Sequence, residues 1–359
     1  MNLLVVDDSS FMRTALRKAL DGHGGLRVVA TASNGQLALE RLEQHNIHLV
    51  TLDLEMPIMD GIETLKEIRK RSKVPIIVLS AVTPRGGELA LEALSLGADE
   101  VLAKPGGQDF NLENSEEKIR DYLLPRILQF QAGLEHPDGP VPRGPVEAQV
   151  GPLLNNKILN IRPSALVIAS STGGPKALED LFKDLVEDLE YPVFIAQHMP
   201  AHFTKSLADR LTKVSGLDVR EAIQGDRIED GRVYIAPGDH HLTIIRDSHG
   251  CILNLNQGPR IHGVRPAADL LFQSAAKAYG ASLLAFVLTG MGEDGCQGSM
   301  DVKASGGVVA IQSRESCVVF GMPGAVQKQG SYDYEGSIDS LRAILRPSSP
   351  QKQTRKQVV

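Results

Sequence analysis

Short apolar runs, each ending in a polar or acidic residue and each followed by apolar side chains at helical spacing, recur along this chain. A run that is apolar at every position needs cover on both faces, which is the condition of a parallel sheet flanked by helices. Residues 3–6, 26–30, 48–52, 75–79 and 101–103 read as five such strands. Phe11, Ala15, Leu16, Ala19 and Leu20 set the first intervening helix, and Ile62, Leu65 and Ile68 the third. A last helix is expected near 116–130. The pattern resumes with strands at 165–169, 193–197, 233–236, 282–288 and 307–311. Helices are expected at 175–189, 202–214, 266–279 and 295–304, and a hairpin around Asp247-Ser248-His249-Gly250. Between the halves, Pro137, Pro140, Pro142, Pro145 and Pro152 stand among glycines, which reads as a linker. The expected fold class is α/β: a doubly wound five-stranded parallel domain over 1–125, a linker over 126–162, a second doubly wound, mostly parallel domain with a β-hairpin over 163–345, and a disordered tail over 346–359.

Composition narrows the function. The 359 residues include no Trp and only 4% aromatics, so no stacking platform for single-stranded nucleic acid is available. Lys and Arg number 38 against 44 acids, a net charge of −6, which argues against a nucleic-acid or anionic-membrane binder. Cys251, Cys296 and Cys317 form no C-x-x-C pair, so neither a disulfide framework nor a cysteine zinc site is expected. Asp7 and Asp8 argue against a signal peptide, and the longest apolar runs, such as 283–288, are too short to span a bilayer. A soluble, cytoplasmic and monomeric protein is expected, with no nucleic-acid partner and no direct membrane insertion.

Asp7 and Asp8 follow the first strand, Asp53 ends the third, Ser80 the fourth and Lys104 the fifth. In a parallel sheet these ends share one edge. Taken singly, each acid is a solvated loop residue or a cap. Together, three converging carboxylates call for a counter-charge, which Mg²⁺ with oxygen ligands supplies. The lysine and the hydroxyl would then receive a phosphoryl group, with Asp53 the central candidate. The constellation resembles a response-regulator receiver domain, carried by Asp7-Asp8, the stretch from Asp53 through Glu55, Pro57 and Asp60 to Gly61, Ser80 and Lys104-Pro105. The resemblance implies Mg²⁺ bound by Asp8, Asp53 and the Glu55 carbonyl, with Asp7 assisting, and phosphotransfer to Asp53 from a histidine kinase.

Three motifs follow strand ends in the second half: Ser170-Ser171-Thr172-Gly173-Gly174-Pro175, Gln197-His198-Met199-Pro200, and Leu288-Thr289-Gly290-Met291-Gly292-Glu293-Asp294-Gly295. A serine in a tight strand-to-helix turn has the setting of a nucleophile, with free N–H groups nearby for an oxyanion. Taken singly, such a serine is better read as a cap, a lone histidine as structural and Asp294 as a cap. Ser171, His198 and Asp294 together supply hydroxyl, base and orienting acid. The missing Walker lysine counts against a nucleotide loop. His202 is the chief rival base. His240-His241 with Asp239 would form a metal site only if adjacent strand residues faced one way, which they do not. His262, in the basic loop 258–266, is expected to border the cleft.

The second half resembles the catalytic domain of the chemotaxis protein-glutamate methylesterases, often called CheB. The matching stretches are those around Ser171, His198 and Asp294, together with Tyr234-Ile235-Ala236-Pro237-Gly238-Asp239 and 316–323. Ala169-Ser170 stands where that family usually has Gly-Ala, so the Ser-Thr-Gly-Gly register alone selects Ser171, and Ser170 is read as a packing residue or turn donor. The resemblance implies hydrolysis of glutamate methyl esters on chemoreceptors, with release of methanol, and deamidation of specific glutamines. Ser171 would attack, His198 would relay the proton, Asp294 would hold the imidazole, and backbone N–H groups near Thr172 and Met291 would hold the oxyanion, with no cofactor for the esterase. The unphosphorylated receiver would block the cleft. A phosphorylation-controlled binding module is the main rival reading. A DNA-binding regulator is a poorer one, since 163–345 shows no basic recognition helix.

Overall fold

The computed structural model describes residues 1–104, 115–135, 162–183, 185 and 189–345, with the side chains of 115 and 129–135 left out. The first half runs β1 (Asn2–Val6), α1 (Ser10–Leu20), β2 (Arg27–Ala32), α2 (Gly35–Gln44), β3 (Leu49–Asp53), α3 (Gly61–Arg71), β4 (Ile76–Ser80), α4 (Pro84–Ser95), β5 (Glu100–Ala103) and α5 (Ser115–Glu135). Its five strands pair in the order β2-β1-β3-β4-β5, all parallel, as the apolar runs require. Successive β1 residues alternate between two cores: Leu3 and Val5 pack with Leu16, Leu20 and Ile119, whereas Leu4 and Val6 pack with Leu52, Val78 and Leu65.

The second half continues with β6 (Ala165–Ser170), α6 (Gly174–Phe182), β7 (Val193–Gln197), α7 (Phe203–Ser215), β8 (Asp218–Glu221), β9 (Arg232–Ile235), the antiparallel hairpin β10 (His241–Asp247) and β11 (Gly250–Asn256), α8 (Ala268–Tyr279), β12 (Leu283–Val287), α9 (Cys296–Ala304), β13 (Val308–Gln312), α10 (Met322–Gln329), β14 (Tyr334–Gly336) and α11 (Ile338–Leu345). The large sheet is ordered β14-β13-β12-β6-β7-β9-β8, with every pair parallel. Because β6 lies between β7 and β12, the chain reverses direction across the sheet at β6. The crevice beyond the carboxyl ends of these three strands is where ligands bind in such folds.

Several boundaries depart from the sequence reading. The expected linker begins at 126, yet α5 runs on to Glu135 through Pro125. Ile119, Leu123 and Ile127, four residues apart, are all buried in the first domain's core, and that stripe carries the helix expected near 116–130 past the domain bound expected at 125. The rest of that linker, 136–161, and the tail, 346–359, lie outside the described residues. The helix expected over 175–189 stops at Phe182, where Lys183 is extended. Strands β8 and β14 were not expected. Both are short edge strands, and Asp218 and Glu221 mask the period of β8.

The two halves are packed together. Helix α4 lies against α7 and α6, and Ala90, Leu91 and Leu94 join Leu181, Phe203 and Leu207 in one apolar cluster. At the crossing, a Cβ on Gly87 would stand 2.6 Å from Ser206 Oγ and 3.3 Å from the His202 carbonyl.

Candidate functional site

Asp7 follows β1, Asp53 ends β3 and Lys104 follows β5, so one sheet edge gathers them as expected. Lys104 Nζ stands 3.0 Å from Asp7 Oδ2 and 2.7 Å from Asp53 Oδ2. Lys104 is thus shared between the two carboxylates, and the described residues offer these two buried oxygens no other partner. Burial drives Asp53 above the usual carboxylate range, and Asp7 adds to this against Lys104 and the Glu55 N–H. Burial would depress Lys104, but Asp53 and Asp7 outweigh it and hold the lysine high. Asp8, exposed, completes a set in which one oxygen from each of Asp7, Asp8 and Asp53 lies within 4.8 Å of the others. An all-carboxylate set of three acids, two of them buried with Lys104 as their one counter-charge, fits a hard divalent cation. Ser80 is buried at the end of β4, its hydroxyl donating to the Gly86 carbonyl at 3.0 Å. The Glu55 N–H donates to Asp53 Oδ1 at 3.3 Å.

In the second half, Ser170 pairs with Gln197 across β6 and β7, which puts Ser171 and His198 side by side just past the strand ends. The Ser170 hydroxyl donates to Gln197 Oε1 at 2.6 Å, and Gln197 Nε2 donates to the Ser171 carbonyl at 3.0 Å. Ser170 is thus a turn donor, and Gln197, given no role by the sequence reading, clamps the turn. The Ser171 N–H donates to the Thr289 carbonyl at 3.1 Å, tying the turn to the strand on its other side. A Cβ on Gly290 would lie 2.8 Å from Ser171 Cβ and 2.3 Å from Met322 Sδ, so only glycine lets this loop approach the serine.

His198 Nε2 lies 2.7 Å from Asp294 Oδ2. The Asp294 carboxylate also accepts the N–H groups of Ala268 at 2.6 Å, and of Asp269 and Gly295 at 3.0 Å. Burial alone would raise this acid, but the imidazole and the two α8 N–H groups hold it below the usual carboxylate range. With Nε2 committed to Asp294, Nδ1 is the ring nitrogen left for a serine proton. In this structure no hydrogen bond joins the Ser171 hydroxyl to the ring, a looseness common in unliganded sites. Among the described residues, the N–H groups of Thr172 and Met291 donate to no protein acceptor, as an oxyanion pocket requires.

The rival histidines sit elsewhere. His202 is the N-cap of α7, with its carbonyl facing Gly87 of the first domain. His241 is buried, its Nε2 3.0 Å from the Pro259 carbonyl and its Nδ1 accepting the Ala267 N–H at 3.2 Å, a structural role. His240 contacts the Gly238 carbonyl, and Asp239 is taken by Arg260 and Arg265. His262 borders the cleft as expected, with Nε2 3.0 Å from Asp269 Oδ2 and Nδ1 3.4 Å from Glu293 Oε1. One ligand atom from each of His262, Asp269 and Asp294 falls within 4.8 Å of the others, but these carboxylates are already satisfied by N–H donors. The receiver-like half also reaches this site. Glu100, at the start of β5, is raised first by burial and carries a side-chain contact to Thr172 beside the serine, which opposes the rise.

Comparison with known proteins agrees with both halves. Residues 166–345 match the family model CheB methylesterase, and residues 3–113 match the response regulator receiver domain. A Pyrococcus horikoshii protein named protein-glutamate methylesterase/protein-glutamine glutaminase is 38% identical over 347 residues, covering 95% of this chain and 91% of that one. A Clostridium acetobutylicum protein of the same name is 39% identical over 342 residues, covering 95% of each. The crystal structure of the Thermotoga maritima CheB methylesterase catalytic domain is 41% identical, with a TM-score of 0.50, covering 52% of this chain and 98% of that one. No helix among the described residues is long and apolar enough to cross a membrane.

Proposed function

The chain belongs to the CheB methylesterase family, and from that premise we propose how its residues perform the family's hydrolysis and how the receiver domain governs it. The protein is a hydrolase, a protein-glutamate methylesterase and protein-glutamine glutaminase of a chemotaxis system, joined to a response-regulator receiver. Its substrate is a methylated chemoreceptor. Ser171 attacks the γ-carbonyl of a glutamate methyl ester, and His198 takes the hydroxyl proton on Nδ1 and returns it to the departing methoxide oxygen as methanol leaves. Asp294 fixes the ring through Nε2 and stabilises the imidazolium. The Thr172 and Met291 N–H groups receive the oxyanion. Water, activated by His198, then releases free glutamate; attack on a glutamine side chain expels ammonia by the same route.

The observation that carries this reading is the 2.7 Å contact between His198 Nε2 and a buried Asp294, beside a serine held at the neighbouring strand end. The test is methanol release from methylated chemoreceptor. Ser171→Ala is expected to abolish it, and a rate equal to the parent's would reject the assignment.

In the receiver, Asp53 accepts a phosphoryl group from a histidine kinase. Asp8, Asp53 and the Glu55 carbonyl, with Asp7 assisting, would hold a Mg²⁺ ion, which would supply charge neutralisation for that transfer. Lys104 and Ser80 then pair with the phosphoryl oxygens. Lys104 now bridges Asp7 and Asp53, so its capture by the phosphoryl group changes the β5 end of the domain. The same domain docks α4 on α7 and sets Glu100 against Thr172, which supports blocking of the cleft until phosphorylation weakens the docked state.

A further inference from the structure

We propose that Asp269 is a positioning residue for the esterase: by exchanging helix caps with Asp294, it holds that carboxylate against His198. The inference rests on Asp294 being the acid of the triad.

Helix α8 begins after Ala267 and helix α9 after Gly295, and neither of these caps supplies a side-chain hydrogen bond. A helix start leaves N–H groups that need acceptors, above all when buried. Each helix takes acceptors from the acid of the other, with the Gly295 N–H shared between Asp269 and Asp294. Asp294, just before α9, accepts from Ala268 and Asp269 in the first turn of α8. Asp269 Oδ1 in turn accepts from Gly295 at 3.0 Å and Gly298 at 2.7 Å, at the start of α9. The helices meet closely enough that a Cβ on Gly298 would stand 2.5 Å from Phe272 Cβ and 3.1 Å from Asp269 Cα.

This arrangement places two buried carboxylates side by side. Burial, then the charge of Asp294, pushes Asp269 above the usual carboxylate range, against the Gly298 N–H and His262. What the exchange secures is the aim of Asp294. Its Oδ2 serves both the Ala268 N–H and His198 Nε2, so the first turn of α8 sets where the acid meets the imidazole. The Asp269 carboxylate bonds Gly295, Gly298 and His262 rather than His198, so this side chain acts on the triad through Asp294 and the backbone around it.

The test is steady-state methanol release by the full chain, with Asp269→Ala and Asp269→Asn made in the parent and in an Asp294→Ala background. Misplacing a catalytic group by about 1 Å costs on the order of 100-fold. Asp269→Ala is therefore expected to lower kcat by roughly 10- to 100-fold with KM little changed. Asp269→Asn keeps an oxygen for Gly295 and Gly298 and is expected to restore most of kcat. In the Asp294→Ala background, Asp269→Ala is expected to cost nothing more. The downfield proton signal of the His198–Asp294 hydrogen bond is expected to vanish in Asp269→Ala and persist in Asp269→Asn. If Asp269→Ala does not fold, Gly298→Ala, which forces α8 and α9 apart, is expected to show the same loss of kcat and the same dependence on Asp294. A parental kcat in folded Asp269→Ala, or an equal fold-loss in both backgrounds, overturns the proposal. Full activity in Asp294→Ala alone would instead overturn the triad on which it rests.

Discussion

The receiver's grip on the catalytic domain is tested most directly at Gly87, where α4 crosses α7. A Cβ there would stand 2.6 Å from Ser206 Oγ, 3.3 Å from the His202 carbonyl and 3.4 Å from Phe203 Cδ1. Ser206 can rotate away by giving up its bond to the His202 carbonyl, but that carbonyl is backbone and Phe203 is fully buried. An alanine meets part of this resistance, and a leucine meets all of it. Overpacking a tight contact costs about 1–3 kcal/mol. At about 1.4 kcal/mol per factor of ten, Gly87→Leu lowers the ratio of docked to undocked protein by roughly 5- to 150-fold. Basal methanol release by unphosphorylated Gly87→Leu is expected to rise by up to that factor, capped at the rate of a chain lacking residues 1–135. The isolated receiver responds with the opposite sign. Glycine inside a helix is about 1 kcal/mol less favourable than alanine, so Gly87→Ala is expected to stabilise it even while loosening the full-length chain. If Gly87→Leu keeps the parental basal rate while phosphorylation still stimulates the parent, the α4–α7 contact is not the inhibitory one.

Four further outcomes follow from the sites. Asp294→Asn leaves the imidazole wrongly held and is expected to lower kcat about 10⁴-fold. Because folding depresses the Asp294 pKa below its ordinary value of 3.8, the stability this acid contributes is present above that pH and is lost only as pH falls through the lower folded value, which pH-dependent thermal unfolding of parent and Asp294→Asn will show. Gly290→Ala drives a methyl into Ser171 and Met322 and is expected to cut kcat on the order of 100-fold, read by methanol release. Folding raises the Asp53 pKa, so ionised Asp53 costs stability as pH rises above 3.8; Asp53→Asn is expected to unfold at or above the parent's temperature at pH 7, with the gap closing toward pH 4, while losing stimulation by a phosphodonor.

Much of the fold was legible because fully buried strands leave no ambiguity of face. Leu3 to Val6 and Leu283 to Val287 are apolar throughout, and both lie inside parallel sheets. The misreadings fell where packing and local signal disagreed. The linker was expected from 126, yet Ile119, Leu123 and Ile127 keep one buried stripe running through Pro125, and the helix goes on to Glu135. Asp218 and Glu221 hid β8 because an edge strand tolerates charge at exposed positions. A one-dimensional pattern reports what a segment must bury, and edge strands and helix extensions are decided by what the neighbours leave to be covered.

The same distinction separates the parts of the site. The proposed triad, Ser171, His198 and Asp294, was legible because each residue stands in a glycine-rich or strand-terminal motif, and parallel topology brings strand ends together. Gln197 and Asp269 were not, although both were in plain view. Gln197 ends a strand beside His198, and Asp269 stands in the first turn of a helix, where an acid is commonplace. Their roles depend on acceptors and donors that are distant in sequence: Ser170 for one, Gly295 and Gly298 for the other. Motif reading finds groups whose chemistry is unusual for their position. It misses groups that do ordinary chemistry, capping a helix or clamping a turn, at the place where a fraction of an ångström decides whether an acid reaches an imidazole.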